Sequence, residues 1–218
     1  MGFAYLKTEV WLRKVERNWQ DHGLGAVIRK SLAYLVKPLY EHRVYRLYKI
    51  DLLSPAAAPY DIEGVSFRFL TPDDAAAIDQ VEGHSEWLRG TVASRLRSGA
   101  LCIAAFENGE LAGFNLVSSG NVYMPLVRLG KRFRHDEAWS EQIAVVKDLR
   151  KKGLGANLRY RIFRELRERG FRMLYGGALA ENIASLKLAR RVGFQEFVDI
   201  RYIRILGWTG RQYERVKK

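Results

Sequence analysis

One short segment combines cations and glycines in a spacing suited to binding phosphate. It reads Arg150-Lys151-Lys152-Gly153-Leu154-Gly155 and follows an apolar run. Glycines let the backbone approach a ligand closely, and the free N–H groups at the start of a helix attract an anion. The three cations add positive charge at the same place. We therefore predict that this loop binds a diphosphate.

Other phosphate-binding loops fit the segment less well. A P-loop has Lys and then Ser or Thr after its second glycine, whereas Ala156 and Asn157 follow Gly155 here. The dinucleotide-binding loop has a third glycine at the position of Leu158. The alternative is a flexible turn with solvated lysines, and the elements on either side favour the binding site over that turn.

The elements around the loop are a strand and an amphipathic helix. Apolar residues predict a strand over 141–146, and a helix is predicted over 154–169, with Gly170 as its C-terminal stop. Leu158, Ile162 and Leu166 form one apolar stripe, and Arg159 is expected on another face of this helix. The loop is thus predicted to join the end of a strand to the start of a helix.

The rest of the chain after residue 60 alternates between strands and helices. Thr71 is expected to cap a helix, and Asn108-Gly109 predicts a hairpin. The other expected elements are strands over 65–70, 171–179 and 197–206, a helix over 86–96, and a helix that Asn182 caps and that ends at Gly193. This order predicts an α+β fold.

Two motifs of this part resemble the GCN5-related N-acetyltransferase (GNAT) superfamily. Residues 150–155 match its Arg/Gln-x-x-Gly-x-Gly/Ala signature, and a second family element follows as Asn182, Ser185, Leu188 and Gly193-Phe194. The likeness extends from about residue 64 to residue 197. It implies a mixed, mostly antiparallel sheet that is flanked by helices and splayed at its fourth and fifth strands, with the acyl-CoA in the opening.

The resemblance also implies which residues bind acetyl-CoA or a longer acyl-CoA. The backbone at Ile143 and Val145 would hold the pantetheine and acyl group, and Asn182 would face the pantetheine. Asn182 is equally suited to be a helix N-cap. The pyrophosphate would lie on the loop and the following helix, at Arg150, Lys151, Lys152, Gly153, Gly155 and Ala156.

The sequence departs from the family pattern at two catalytic positions. Ala189 stands where many members have the tyrosine that protonates the CoA thiolate. Gly177 stands at about the position of the glutamate that serves as their general base. We rank Glu141 first and His135 second as the general base, with Tyr175 as a candidate acid. Gly176-Gly177 also suggests room for a bulky acceptor or a longer acyl chain.

Composition sets the broad class of the protein. The chain has 218 residues, a formal charge of +13 and one cysteine. A basic surface attracts polyanions such as CoA or RNA, and a single cysteine excludes an intrachain disulfide and favours the reducing cytoplasm. No cluster of residues predicts a metal site.

We divide the chain into an extension and linker over 1–60 and an acyltransferase domain over 61–218.

Residues 1–60 are predicted to form a basic, aromatic-rich helical extension that ends in a linker. Helical spacing indicates three helices, the last over 39–50. One interpretation is a cap that packs on the catalytic domain. The others are an amphipathic surface on the anionic inner face of the membrane and a surface for RNA or a protein partner.

The main hypothesis is an N-acetyltransferase that moves acetyl from acetyl-CoA to the primary amine of a small molecule or sugar nucleotide. The amine would attack the thioester directly, and strand N–H groups would stabilise the oxyanion. An acceptor amine on aminoacyl-tRNA or protein is an alternative. A non-catalytic acyl-CoA sensor is the third possibility, because the usual tyrosine and glutamate are missing.

Overall fold

The structure is a computed structural model that describes residues 40–54, 57–146 and 153–216. The strands in these residues are β1 (Tyr40–Asp51), β2 (Val65–Phe69), β3 (Leu101–Glu107), β4 (Glu110–Ser119), β5 (Asn121–Met124), β6 (Leu129–Arg132), β7 (Glu137–Val145), β8 (Met173–Leu179), β9 (Gln195–Ile205) and β10 (Trp208–Arg215). The helices are α1 (Ala75–Gly83), α2 (Val92–Arg97), α3 (Leu154–Glu168) and α4 (Ile183–Arg191).

The described residues divide into two compact units, one that contains residues 40–42 and 202–211 and one that contains the other described residues. In the described part of the first unit, Leu206 and Gly207 form the turn between β9 and β10 with φ values of 48° and 87°. Arg204 pairs there with Glu41 at 3.3 Å. The second unit contains the candidate site.

The sheet of the second unit confirms the expected fold class. Its strand order is β10-β9-β1-β8-β7-β4-β3-β2, and β5 pairs with β6 separately. The ladders of β4 with β3 and with β7 are antiparallel, whereas β7 and β8 run parallel. With the small β5–β6 hairpin set aside, β2, β3, β4, β7 and β8 are the first to fifth strands that the family resemblance implies.

Both faces of the sheet are covered by helices. Successive residues of β3 point alternately into two clusters, because side chains alternate along a strand. Ile103 belongs to the cluster with α3 and α4, and Cys102 belongs to the cluster with α1 and α2. A strand buried on both faces is apolar throughout, which explains the apolar run at 101–106. Burial also raises the pKa of the Cys102 thiol to about 12, so this residue serves as packing.

The two helices that follow β7 and β8 form as the sequence predicts. The stripe of α3 is buried, and Gly153 begins the helix with a left-handed φ of +80°, a conformation that glycine adopts at no steric cost. At α4 the Asn182 Oδ1 accepts a hydrogen bond from the Ser185 N–H at 3.1 Å. A Cβ at Gly155 would lie 3.0 Å from Leu188, so the lack of a side chain lets α3 approach α4.

The expected hairpin is confirmed, but three helix predictions need correction. Asn108 and Gly109 both have positive φ, at 53° and 83°, as a tight hairpin turn requires. The helix predicted from Thr71 begins at Ala75. Its N-cap is Asp74, whose carboxylate accepts from the Thr71 N–H at 2.7 Å.

The helix predicted over 86–96 is only the short α2. Gly90 has a φ of +69°, which interrupts the helical conformation before α2. The Glu82 carboxylate accepts hydrogen bonds from the N–H groups of Gly90 and Val92, and it thereby fixes where α2 begins. In the described part of the chain, no helix is long and apolar enough to cross a membrane.

The prediction of a third helix over 39–50 is wrong, because Tyr40–Asp51 is strand β1. β1 pairs antiparallel with β8 and places Tyr48 opposite Gly176. β1 precedes the boundary predicted at residue 60 and is part of the sheet. The first two predicted helices and most of the predicted membrane or RNA surface fall on residues 1–39, outside the described residues.

The glycines of β8 do not leave an empty space, contrary to the expectation for Gly176-Gly177. A Cβ at Gly176 would lie 2.4 Å from the Tyr48 ring, and one at Gly177 would lie 2.4 Å from the Tyr45 ring. These two tyrosines are only 2 % and 6 % exposed. The side chains of β1 therefore fill the volume that the glycines leave.

We expect Gly176→Ala to lower the free energy of unfolding by about 1–3 kcal/mol, the usual cost of overpacking a core. The added methyl group meets Tyr48, which cannot move aside easily because its ring packs on Phe194 at a centroid distance of 4.9 Å. Urea unfolding measures the difference. Gly130→Ala is the matched control, because a Cβ there meets open space. Equal stability of the two variants would contradict this packing.

Candidate functional site

The two parallel strands of the sheet pair over only part of their length. The ladder between β7 and β8 starts at Glu137 and Met173 and ends at Ser140 and Gly176. β7 continues to Val145 and β8 to Leu179. Since the ladder stops while both strands continue, they diverge, and an opening forms between them at the level of Glu141 and Gly177.

A β-bulge lies at the point where the strands separate. Leu116 of β4 pairs with Gln142, and the next residue, Val117, pairs with Ser140. Glu141 is therefore the extra residue of β7, and such a bulge re-aims a side chain. The buried Asn115 amide spans the bulge, because it donates to the Ser140 Oγ and to the Gln142 carbonyl, both at 3.1 Å.

A cavity of about 770 Å³ occupies this opening. Tyr45 and Tyr48 both border it although they are three residues apart on β1, so they lie on opposite faces of the sheet. The cavity therefore passes through the sheet between β7 and β8. Its lining from the two strands consists of Trp139, Ser140, Glu141, Gln142, Ile143, Gly177, Ala178 and Leu179.

Glu141 lines the cavity as a fixed carboxylate. Its Oε2 accepts a hydrogen bond from Arg95 and its Oε1 accepts one from the Ser118 hydroxyl. The Glu141 side chain is 12 % exposed. Burial lowers the pKa of the Arg95 guanidinium, but an arginine remains charged. The two partners orient Glu141 on the side of the cavity formed by α2 and β4.

The lining of the cavity also carries aromatic rings and hydroxyl groups. Trp87 and Tyr123 line it while 60 % and 59 % exposed, so their rings are accessible at its mouth. The hydroxyl groups belong to Ser85, Ser94, Ser98, Ser118, Ser119, Ser140 and Ser185. Each hydroxyl can both donate and accept a hydrogen bond, which suits a polar, hydroxylated ligand.

Arg159 of α3 is a buried cation in the cavity wall. It is 2 % exposed, its Nη1 donates to the Ser140 Oγ at 2.6 Å, and its guanidinium lies 5.1 Å from the Phe194 ring centroid. Tyr48 lies beside it. Burial lowers the pKa of Arg159. The sequence predicted Arg159 on a face of the helix away from the apolar stripe, so its burial in the cavity wall was not expected.

The start of α3 lies close to the segment that precedes β2. The Tyr60 hydroxyl donates to the Gly153 carbonyl at 3.2 Å, and the buried Asn157 side chain bonds both backbone groups of Tyr60. A side chain at Gly153 would collide with the Tyr60 hydroxyl. The predicted loop residues Arg150, Lys151 and Lys152 lie outside the described residues, whereas Gly153, Gly155 and Ala156 form the start of α3.

The structure brings together some predicted site residues and separates others. Glu141, Ile143 and Asn182 all line the cavity. Val145, the last residue of β7, packs against the core cluster that includes α3. His135 is exposed in the turn before β7, at the end of the strand opposite the opening. The Tyr175 hydroxyl donates to Glu137 at 3.1 Å, where the ladder begins, and burial raises the pKa of Tyr175.

The two departures from the family pattern have different surroundings. Ala189 is 2 % exposed and packs in the core, so its position faces away from the cavity. Gly177 borders the cavity without a side chain, and Tyr45 of β1 occupies the adjacent space. Burial raises the pKa of the Tyr45 hydroxyl. Tyr45 therefore stays protonated at neutral pH and can donate a hydrogen bond.

Comparison of folds reveals many similar structures. A GCN5-related N-acetyltransferase from Sphaerobacter thermophilus is 20 % identical, with a TM-score of 0.57, and the match covers 97 % of this chain and 69 % of that one. A Drosophila protein is 17 % identical with a TM-score of 0.55, over 84 % of this chain and 58 % of that one.

A tandem GNAT protein from the clavulanic acid biosynthesis pathway also has the same fold. It is 16 % identical with a TM-score of 0.56, and the match covers 84 % of this chain and 58 % of that one. The chain thus spans less than two thirds of the length of two of these three proteins. At such identities the likeness shows the fold.

Sequence comparison identifies the family. No curated protein sequence gives a significant match. The profile of the acetyltransferase (GNAT) family, however, matches residues 60–194, which is more than half of the chain. These residues contain the bulged β7, the opening between β7 and β8, and the glycine start of α3. The chain therefore belongs to the acetyltransferase (GNAT) family.

Proposed function

We propose that this protein transfers an acetyl group from acetyl-CoA to the primary amine of a small molecule, with amino sugars and sugar nucleotides as the favoured acceptors. The observation that carries the proposal is the cavity between β7 and β8. Glu141, Ile143 and Asn182 all line it, and α3 begins beyond the C-terminal end of β7.

The residues present fit an acyl-CoA. Gln142 and Ile143 border the opening on the β7 side, and the amide groups of a pantetheine can hydrogen-bond to the backbone of a strand edge. Asn182 uses its Oδ1 for the helix cap, which leaves its amide N–H₂ as a donor. The left-handed Gly153 and the N-terminus of α3 suit the diphosphate.

Glu141 is the residue we assign as general base. It lines the cavity as a carboxylate in a fixed orientation, and a base must lie within hydrogen-bond reach of the proton that it removes. The amine of the acceptor, once deprotonated, attacks the thioester carbonyl. The backbone N–H groups of β7 at the opening would stabilise the negative charge that develops on the carbonyl oxygen.

The lining on the α2 side favours a sugar-like acceptor. The rings of Trp87 and Tyr123 offer flat apolar faces at the mouth of the cavity, and the serines supply hydroxyl groups along its wall. A sugar ring has both an apolar face and hydroxyl groups. An amino sugar could therefore use both features while its amine points toward Glu141.

A thiol-release assay with acetyl-CoA tests the proposal. We expect turnover with glucosamine or an amino-sugar nucleotide and little with simple alkylamines of equal basicity. Tight binding of CoA without turnover of any amine would instead support the acyl-CoA sensor. Ala189 and Gly177 favour that second function, because neither position offers a group that could transfer a proton.

We expect Glu141→Gln to lower kcat by about 100-fold or more, since a positioned general base contributes that much. Steady-state kinetics measures kcat, and the dissociation constant of CoA should stay unchanged. Glu137→Gln is the matched control at the other end of β7, where Glu137 bonds Tyr175. If the kcat of Glu141→Gln lies within threefold of the wild-type kcat, Glu141 is not the general base.

Two substitutions of Asn182 separate its two roles. Serine is also a good N-cap, so Asn182→Ser should change the free energy of unfolding by less than about 0.5 kcal/mol, whereas Asn182→Ala should cost about 1 kcal/mol. Both variants lose the amide donor and should bind CoA roughly two- to tenfold more weakly. Calorimetric titration measures the affinity. If Asn182→Ser binds CoA with wild-type affinity, Asn182 serves only as the helix cap and does not contact CoA.

A further inference from the structure

Arg159 carries a buried charge that none of its neighbours among the described residues neutralises. Its contacts are the Ser140 hydroxyl, the Phe194 ring and the neighbouring Tyr48, and these groups are neutral. Among residues 40–54, 57–146 and 153–216, no carboxylate forms an ion pair with Arg159, and its Nε has no hydrogen-bond partner there. An uncompensated charge in the interior is costly, and an arginine cannot lose its proton to avoid that cost.

Arg159 borders the cavity although very little of its surface is exposed. Its side chain reaches from α3 to Ser140, the residue at which the ladder between β7 and β8 ends. Arg159 also lines the cavity. The guanidinium therefore lies at the closed end of the opening, where the ends of the two bound substrates would meet.

We infer that Arg159 binds a carboxylate carried by one of the two substrates of the transfer reaction. A planar guanidinium with five donors matches a carboxylate in two parallel hydrogen bonds. The neighbouring Tyr48 hydroxyl and the Ser140 hydroxyl offer further polar contacts. This inference rests on the acyl-CoA-dependent transfer of the proposed function, and it specifies the substrate class of the same site.

The carboxylate has two possible sources with the same chemistry. It can be the free end of a dicarboxylic acyl group on CoA, which would then be the preferred donor in place of acetyl-CoA. It can also belong to an acceptor that bears an amine and a carboxylate. In both cases the ligand would neutralise Arg159 on binding, and the overall reaction remains transfer of an acyl group from sulfur to nitrogen with release of CoA.

The first arm of the test compares acyl-CoAs of equal chain length. Calorimetric titration of the wild-type protein with succinyl-CoA and butyryl-CoA compares a terminal carboxylate with a terminal methyl group. If the carboxylate is on the donor, succinyl-CoA should bind about tenfold more tightly or better, as expected for hydrogen bonds to a charged group.

The second arm compares acceptors in the presence of saturating acetyl-CoA. Thiol release is measured for glucosamine and for muramic acid, which adds a carboxylate to the same sugar, and for several amino acids and their amides. If the carboxylate is on the acceptor, the charged member of each pair should have a kcat/KM about tenfold higher or more.

Variants connect either preference to Arg159. Arg159→Gln should abolish the preference, whereas Arg164→Gln should retain it, because Arg164 is an exposed residue of the same helix. If Arg159→Gln does not fold, Arg159→Lys is measured instead. Lysine keeps the buried cation but cannot form a bidentate pair of hydrogen bonds with a carboxylate. The preference for the charged ligand should therefore fall severalfold, and an unchanged preference would overturn the inference.

The remaining outcomes separate this inference from the proposed function. If acetyl-CoA is turned over and neither arm shows a preference for the charged member, the inference is wrong and the proposed function stands. A role of Arg159 toward the released thiolate alone would give that result. If neither CoA ester binds, or no amine is acetylated, it is the proposed function that fails.

Discussion

The early end of the ladder between β7 and β8 is the constraint on which the site depends. Two parallel strands that continued to pair would leave no room between them, and the cavity would not exist. Three polar side chains hold the point of separation. Asn115 spans the bulge, Ser140 accepts hydrogen bonds from it and from Arg159, and Arg159 reaches this point from α3. The hydrogen bonds among these buried groups hold β7 at the point where the sheet opens.

Glycine on β8 and tyrosine on β1 form a second arrangement that shapes the site. Gly176 and Gly177 present backbone alone, and Tyr48 and Tyr45 pack directly against it. The cavity therefore takes aromatic groups from a strand that the family match over residues 60–194 does not include. A neighbouring strand can supply chemical groups at a position that is occupied by glycine, because antiparallel pairing sets the residues of both strands side by side.

Local signals made part of this structure predictable from the sequence. The stripe of α3, the Asn182 cap and the Asn108-Gly109 turn each depend on residues close together in the chain. β1 was mistaken for a helix because Val44, Tyr45, Leu47 and Tyr48 have helical spacing. The buried residues Tyr45 and Tyr48 are three positions apart, so burial along β1 does not follow the two-residue alternation that would reveal a strand. Arg159 looks like any surface arginine of an amphipathic helix, since only the tertiary fold covers it.

The pairing of β1 with β8 has a consequence for how the protein folds. The Tyr48 hydroxyl and the Gly177 carbonyl that it contacts are 129 residues apart in the chain. Closing so long a loop costs entropy that is recovered only when the contact forms, and such non-local contacts slow folding. During synthesis, β1 leaves the ribosome long before its partner strand. The cavity between β7 and β8 therefore acquires its tyrosine wall late, and a nascent chain lacking β8 has no complete site.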